Sequence, residues 1–290
     1  MIQSVAFLGL GAMGYRMAAH LPQHFQHVWV WNRNFEKAEQ HAAEYGTHAV
    51  TLEQAAQADL IFSCLPTSQD VENLLAPLTL KPGTIWVDCT SGVPASAQKI
   101  AAQLLTQGSY YLDAPVSGQT IGAENASLTV MVGGDIKAFT RAKPALQAVG
   151  KLIQHVGHSG AGFAVKAVNN MLMAVNLCAV AEGMTTLKAH GVNLSEALQC
   201  INASSGKSMV SETVFPQRVL NRSFPLTFAL ALLSKDTGIA LDLSREAKLS
   251  TPVLSLTQNL IQIANSTSKS EQDFSSAVQL YETWSNIILE

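Results

Sequence analysis

The 290-residue chain predicts an α/β domain with a doubly wound, mostly parallel sheet, followed by an all-α C-terminal domain. Short apolar runs alternate with helical patterns through the first half, the rhythm of strands linked by crossover helices. A glycine-rich turn joins the first such run to the first helix. Past about residue 161 no strand pattern recurs and long helical periods take over. The expected domains are therefore residues 1–161 and 162–290.

The elements follow in order. "SVAFL" is a short buried strand, and "YRMAAHL" starts a helix. Between them lie Gly9, Leu10, Gly11, Ala12, Met13 and Gly14, a G-x-G-x-x-G in the strand–turn–helix context of a Rossmann-type dinucleotide-binding domain. Gly9 permits the tight turn, Gly11 lets backbone approach a pyrophosphate, and Gly14 lets the helix pack on the strand. The helix N-terminus offers unpaired N–H groups to the phosphates. "HVWVWNRN" is the next strand, and its end is where the fold reads the cofactor ribose. An acidic residue there would accept from the 2′-hydroxyl of NAD. This chain has Arg33 between Asn32 and Asn34, and a guanidinium suits a 2′-phosphate, so NADP(H) is expected to be preferred, with NAD(H) possible. The plainer alternative is a surface arginine after a strand.

"FEKAEQHAAEYG" is a helix ending at Gly46, "ADLIFSCLP" a buried strand, and "SQDVENLLA" a helix. "GTIWVDCTSGVP" runs from strand to loop, "PASAQKIAAQLLTQG" is a helix, and "SYYLDAPVSG" and "LTVMVGG" are strands. Ligands in such sheets lie beyond the carboxyl ends of the strands. The loops "CLPTS", "DCTSG" and "APVSGQTIG" are thus expected to wall a site, with Thr90, Ser91 and Ser117 as its hydroxyls, although each could be an ordinary loop side chain. In the second half a helix is expected from Phe163 to about His190, stopping at Gly191. "LSEALQCINA" follows with Ser195 as N-cap, then a loop through Ser204–Gly206. "PLTFALALLSKDTGIALDLSREAKL" and "PVLSLTQNLIQIANS" are further helices, and "SEQDFSSAVQLYETWSNIILE" closes the chain.

The composition, 48% hydrophobic and 13% charged with net charge −3, describes a packed globular protein without a basic face for nucleic acid or a membrane surface. Cys64, Cys89, Cys178 and Cys200 are scattered, which suggests neither a metal site nor a disulfide framework and fits a reducing cytoplasm. The apolar start lacks a cationic n-region, so no leader is expected. His20, His24 and His27 are broken up by Pro22 and read as a solvated loop rather than metal ligands.

"GAGFAVKAVNN" places Lys166 and Asn170 four residues apart on one helix face, about 6 Å along the axis. Read as a bare helix, Lys166 would snorkel its head to solvent. With a dinucleotide cradle upstream, it becomes a candidate to stabilise and protonate the alkoxide that develops when an aldehyde is reduced. Asn170 would orient it or the substrate, and Asn169 is assigned no role.

With these motifs in place, the chain resembles the β-hydroxyacid dehydrogenases over nearly its whole length. The family includes 3-hydroxyisobutyrate dehydrogenase, tartronate semialdehyde reductase and glyoxylate/succinic semialdehyde reductase. "FLGLGAMGYRMAAHL", "DAPVSGQTIGAENASLTVMVGG", "GAGFAVKAVNN" and "LLSKDTGIAL" match its ordered motifs. The resemblance implies an oxidoreductase with Lys166 as general acid/base and Asn170 beside it. It implies Ser117 and Gly118 on the substrate carboxylate, Phe228 lining the pocket and Asp236 ordering the site. Lys235, Leu65, Pro66, Thr90 and Ser91 would contact the cofactor. "WNRN" is similar to the NADPH-preferring branch, which implies a semialdehyde reductase acting on a small carboxylate-bearing aldehyde or hydroxy acid, as a homodimer or homotetramer. Gln119 and Ala126 depart from the pattern where glycine is usual, which puts the substrate rather than the activity in question. Imine reductases generally lack the lysine, and a silent NADP-sensing module would usually have lost it.

Overall fold

The computed structural model describes residues 2–267 and 271–290; Met1 and Ser270, at the edges of two segments read above, lie outside the described residues. The chain forms two compact units, 1–166 and 167–290.

In the first unit, β1 (Ser4–Leu8), β4 (Leu60–Ser63) and β5 (Ile85–Asp88) are buried along their whole length. That is why they read as continuous apolar runs: both faces of a parallel sheet are covered. Val5 and Phe7 enter one apolar layer with Phe62 and Val87, while Ala6 and Leu8 enter the other with Ile61 and Trp86. β2 (His27–Trp31) and the two-residue β3 (His48–Ala49) extend the sheet on one side. On the other side lie β6 (Tyr110–Asp113), β8 (Leu128–Gly134) and β7 (Val116–Ser117). The order is β3-β2-β1-β4-β5-β6-β8-β7, with β9 (Gly150–Gly157) also pairing with β8. β1 lies between β2 and β4 and is parallel to both. The strand order reverses there, and the crevice outside that point is where such sheets take ligands.

The crossover helices are α1 (Ala12–Ala18), α2 (Phe35–Tyr45), α3 (Leu52–Ala55), α4 (Ser68–Leu75), α5 (Pro94–Thr106) and α7 (Ile136–Gln147), while α6 (Gln119–Glu124) joins the antiparallel pair β7 and β8. "SYYLDAPVSG" is not one strand. It splits at Pro115, which has no N–H to donate to a ladder, and both β6 and β7 run antiparallel to β8. β9 was not anticipated; it is half-exposed and lacks the apolar continuity of the inner strands.

α8 (Ala161–Ala189) is a 29-residue helix that enters the second unit and ends before Gly191, whose φ is +75°. By length and composition it could cross a membrane. Its Ala174, Leu177, Ala181 and Met184 lie in the helical core with Leu198, Phe215, Leu233 and Ile261. α9 (Leu194–Asn202) is capped by Asn193, not Ser195: the Asn193 carboxamide accepts from the Ser195 and Glu196 N–H groups at 3.0 and 3.2 Å. A π-helix (Val210–Val219) with an internal proline follows the Ser204 loop, where no helix was expected. α10 (Leu230–Glu246) begins later than the apolar pattern suggested, because the Thr227 and Phe228 N–H groups donate to Asp273 instead of opening a helix. α11 (Pro252–Thr267) and α12 (Gln279–Ser285) complete the unit. Arg218 pairs with the same Asp273 at 3.1 Å, with side-chain exposures of 7% and 0%. The pair is therefore a buried, multiply hydrogen-bonded seat rather than a surface ion pair.

Gln119 and Ala126, in the β7–β8 connection, both hold backbone that favours glycine. Gln119 has φ +59° and Ala126 φ +49°, in the left-handed region. A side chain there costs about 1 kcal/mol. Ala126→Gly is therefore expected to stabilise the protein by about 0.5 kcal/mol, after allowance for the more flexible unfolded chain. Denaturant midpoints of the variant and the parent check this.

Candidate functional site

The cradle is built as the glycine spacing implies. Gly9 turns at φ +96°, and a Cβ there would lie 2.5 Å from the Cys64 carbonyl oxygen. A Cβ on Gly14 would lie 2.0 Å from the Gly9 carbonyl oxygen, so α1 can pack on the turn only as glycine. At Gly11 the same construction meets nothing within 4 Å. The side of the turn left open is the one a pyrophosphate needs, and Gly11, at the N-cap of α1, has no side-chain cap competing for the helix N–H groups. These residues fit a dinucleotide.

Asn32 accepts from the Leu10 N–H at 3.0 Å and donates to the Asn34 carbonyl at 2.9 Å, so it clasps the glycine turn to the end of β2. The Asn34 side chain caps α2 through the Glu36 N–H. Arg33 is exposed and makes no hydrogen bond or ion pair among the described residues. A cleft of about 220 Å³ opens beside the turn, lined by Leu10, Gly11, Ala12, Arg16, Lys37 and Gln40, with Tyr15 at its wall. Lys37 escaped the sequence reading; its signal was a second cation four residues after Arg33.

At the neighbouring strand exits, the Thr90 hydroxyl is not presented outward. Thr90 is buried, and its Oγ1 accepts from the Leu65 N–H at 3.1 Å, bracing the loop that carries Pro66 against the loop that carries Ser91. Asp88 anchors this brace, accepting from the Thr90 N–H, the Ser63 hydroxyl and the Tyr111 hydroxyl. Burial pushes its carboxyl above the usual range, and these donors oppose that. Ser117 ends β7 half-exposed, and Gly118 turns at φ +138° into α6. His20 donates to the Ala123 carbonyl at 2.9 Å, and among the described residues no group of His, Cys, Asp or Glu is placed to share a metal ion.

Lys166 lies in the second turn of α8 and is half-buried. The start of α8 is held by a residue the sequence reading did not single out. Asp113, at the carboxyl end of β6, accepts from the Gly160 N–H at 2.8 Å and the Phe163 N–H at 3.0 Å. Burial raises its carboxyl to about 6, against the pull of those donors. A Cβ on Gly162 would lie 2.4 Å from the Met131 carbonyl oxygen. The glycines before Lys166 therefore serve approach to another backbone.

In the helical unit Asn170 is buried and donates to Asp236 Oδ2 at 2.6 Å. Asn169 donates to Asn170 Oδ1 at 3.2 Å, a role its sequence position did not disclose. Lys235 Nζ lies 3.3 Å from Asp236 Oδ1, an oxygen with no hydrogen-bond partner among the described residues. A carboxylate only accepts, so Asp236 settles which end of the Asn170 amide faces it. Phe228 packs on the helical core beside Phe274, with ring centres 6.1 Å apart.

Two family models match the chain: the NAD-binding domain of 6-phosphogluconate dehydrogenase over residues 4–157, and the NAD-binding domain of NADP-dependent 3-hydroxyisobutyrate dehydrogenase over 160–281. The chain is 32% identical to 2-(hydroxymethyl)glutarate dehydrogenase of Eubacterium barkeri, over 98% of this chain and 96% of that one. It is 33% identical to 3-hydroxyisobutyrate dehydrogenase of Pseudomonas aeruginosa, over 96% and 98%. A solved structure of Mycobacterium tuberculosis 3-hydroxyisobutyrate dehydrogenase with L-serine superposes with a TM-score of 0.88 at 29% identity, covering 97% of this chain and 99% of that one. These matches, with the fold and cradle, identify a nicotinamide-dependent oxidoreductase acting on CH–OH groups. Within that class the chain belongs to the β-hydroxyacid dehydrogenase family.

The cradle geometry separates folding from binding. Gly11→Ala is expected to unfold at the parent's temperature yet bind the dinucleotide at least about tenfold more weakly, since the methyl group fills space meant for phosphate. Gly14→Ala is expected to lose several kcal/mol of stability through its backbone clash. Thermal unfolding with and without cofactor distinguishes the two.

Proposed function

We propose that the protein is an NADPH-dependent reductase of a short carboxylate-bearing aldehyde or 2-oxo acid, such as glyoxylate or succinic semialdehyde. In this reading it works in the cytoplasm as a homodimer or homotetramer. The observation that carries it is Lys166 on α8, one turn before an Asn170 whose carboxamide is held by Asp236 and Asn169. When bound, the nicotinamide supplies the hydride. Lys166 stabilises the developing alkoxide with its ammonium and delivers the proton to that oxygen. One N–H of Asn170 is engaged by Asp236, which leaves the other to orient the substrate oxygen or Lys166. The Ser117 hydroxyl and the Gly118 backbone hold the substrate carboxylate, Phe228 lines the pocket, and Lys235, steadied by Asp236, reaches the cofactor.

Gly9 to Gly14 cradle the pyrophosphate, with Leu65, Pro66, Thr90 and Ser91 alongside. Arg33 takes the 2′-phosphate, supported by its having no hydrogen bond or ion pair among the described residues and by Lys37 in the adjoining cleft. Val165, Val168 and Leu172, exposed on α8, support an oligomer. A second reading, oxidation of a 3-hydroxy acid such as 3-hydroxyisobutyrate or the tartronate semialdehyde couple, is favoured by relatives named for 3-hydroxyisobutyrate and 2-(hydroxymethyl)glutarate.

NADPH absorbance followed against a panel of short semialdehydes, with NADP+-linked oxidation of the hydroxy acids run in parallel, decides between the two. Lys166→Ala is expected to lower kcat by about 10²–10⁴; parent-like turnover in that variant would remove the proposed proton donor. Arg33→Asp is expected to weaken NADPH far more than NADH in direct titrations. Equal weakening would show that Arg33 does not read the 2′-phosphate.

A further inference from the structure

We propose that Asp113 is a positioning residue for the reaction: by clamping the first turn of α8 to the end of β6, it sets where the Lys166 ammonium is delivered. This role rests on Lys166 being the proton donor.

A helix of 29 residues presents unpaired N–H groups and a positive dipole end at its start, and α8 has no acidic residue in its own first turn to answer them. The answering charge comes from the sheet. The two oxygens of Asp113 divide the work, Oδ1 taking the Gly160 N–H and Oδ2 the Phe163 N–H. The backbone passes so close to the carboxylate that only glycine fits on either side. A Cβ on Gly133 would lie 2.6 Å from Asp113 Oδ1, and one on Gly162 would lie 2.9 Å from Oδ2. Phe163 is itself buried in the apolar layer of the sheet, so the turn is pinned by an ionic and an apolar contact together. Lys166 follows Phe163 by three residues on the same helix, so a tilt or slip of the pinned turn is carried to its ammonium. A displacement of about 1 Å at a reacting group can cost about 10² in rate, with little effect on binding.

Asp113→Asn keeps the shape but removes one acceptor and sets an NH2 group against a backbone N–H donor. Assayed as the full chain with NADPH, at a temperature where circular dichroism shows it folded, it is expected to lose about 10²-fold in kcat while KM and the NADPH dissociation constant stay within about threefold. Asp113→Ser, whose shorter side chain cannot reach both N–H groups but sets no NH2 against them, is likewise expected to lose kcat with KM kept, and serves if the Asn variant does not fold. Combined with Lys166→Ala, the Asn substitution is expected to cost nothing further, whereas a merely structural defect would multiply. A folded Asn or Ser variant with parent-like kcat, or a multiplicative double variant, overturns the proposal.

Should parent and Lys166→Ala turn over alike, it is the proton-donor role that fails. Competitive acetylation of the NADP-bound protein then reads position directly. An Asn-variant rate altered about threefold or more at Lys166, with Lys235 unchanged, supports the clamp, and an unaltered Lys166 rate refutes it.

Discussion

The carboxylate of Asp113 is buried at the carboxyl end of β6, where the strand would otherwise deliver a charge into an apolar layer. It is tolerated because two backbone N–H groups at the start of α8 converge on it. Neither partner could be buried alone: an unpaired carboxylate and an uncapped helix start each cost several kcal/mol away from water. The sheet and the long helix are thereby joined at one place by groups that satisfy each other. Gly133 and Gly162 follow from this joint, because any side chain at either would enter the space the carboxylate fills. The position of Lys166 follows from it too, since a rigid helix carries its first turn's placement onward.

The same economy recurs at three other buried acids. Asp88 gathers the Ser63 and Tyr111 hydroxyls and the Thr90 N–H, and so ties together the strand exits beside the cradle. Asp236 takes the Asn170 amide and the Lys235 ammonium. Asp273 takes Arg218, the Thr227 hydroxyl and several backbone donors, and so decides where α10 begins. Each buried charge converts a local liability into a fixed geometry, and Asp88, Asp113 and Asp236 stand next to a loop or helix that carries a candidate site residue.

Much of this was legible in one dimension. The Gly9–Gly14 turn is a local structure, so its spacing alone implied its shape, down to which glycine faces open space. Lys166 and Asn170 share a helix face at any fold-independent reading of a 3.6-residue period. What escaped were contacts distant along the chain. Asp113 looked like the polar end of a strand, because the donors it serves lie near residue 160. Thr90 looked like an outward hydroxyl until Leu65 claimed it. Asn169 looked idle because its acceptor is a neighbour's side-chain oxygen, whose orientation depends on Asp236. β9 and the late start of α10 were missed for a related reason: edge pairing and a distant carboxylate overrode weak local patterns.

The sequence by itself determined the elements and chemistry that depend on neighbours along the chain: the buried parallel strands, the dinucleotide turn, the long helix with its lysine and carboxamide, and the family to which the chain belongs. Only the tertiary structure decided which polar groups are spent inside the protein and which stay available to a ligand. Asn32, Asn34 and Thr90 are committed to bracing, whereas among the described residues Arg33 has no such partner and one side of Gly11 stays open. The physical reason is that a buried donor or acceptor must be paired. Its partner is found by folding, at separations that no local pattern encodes.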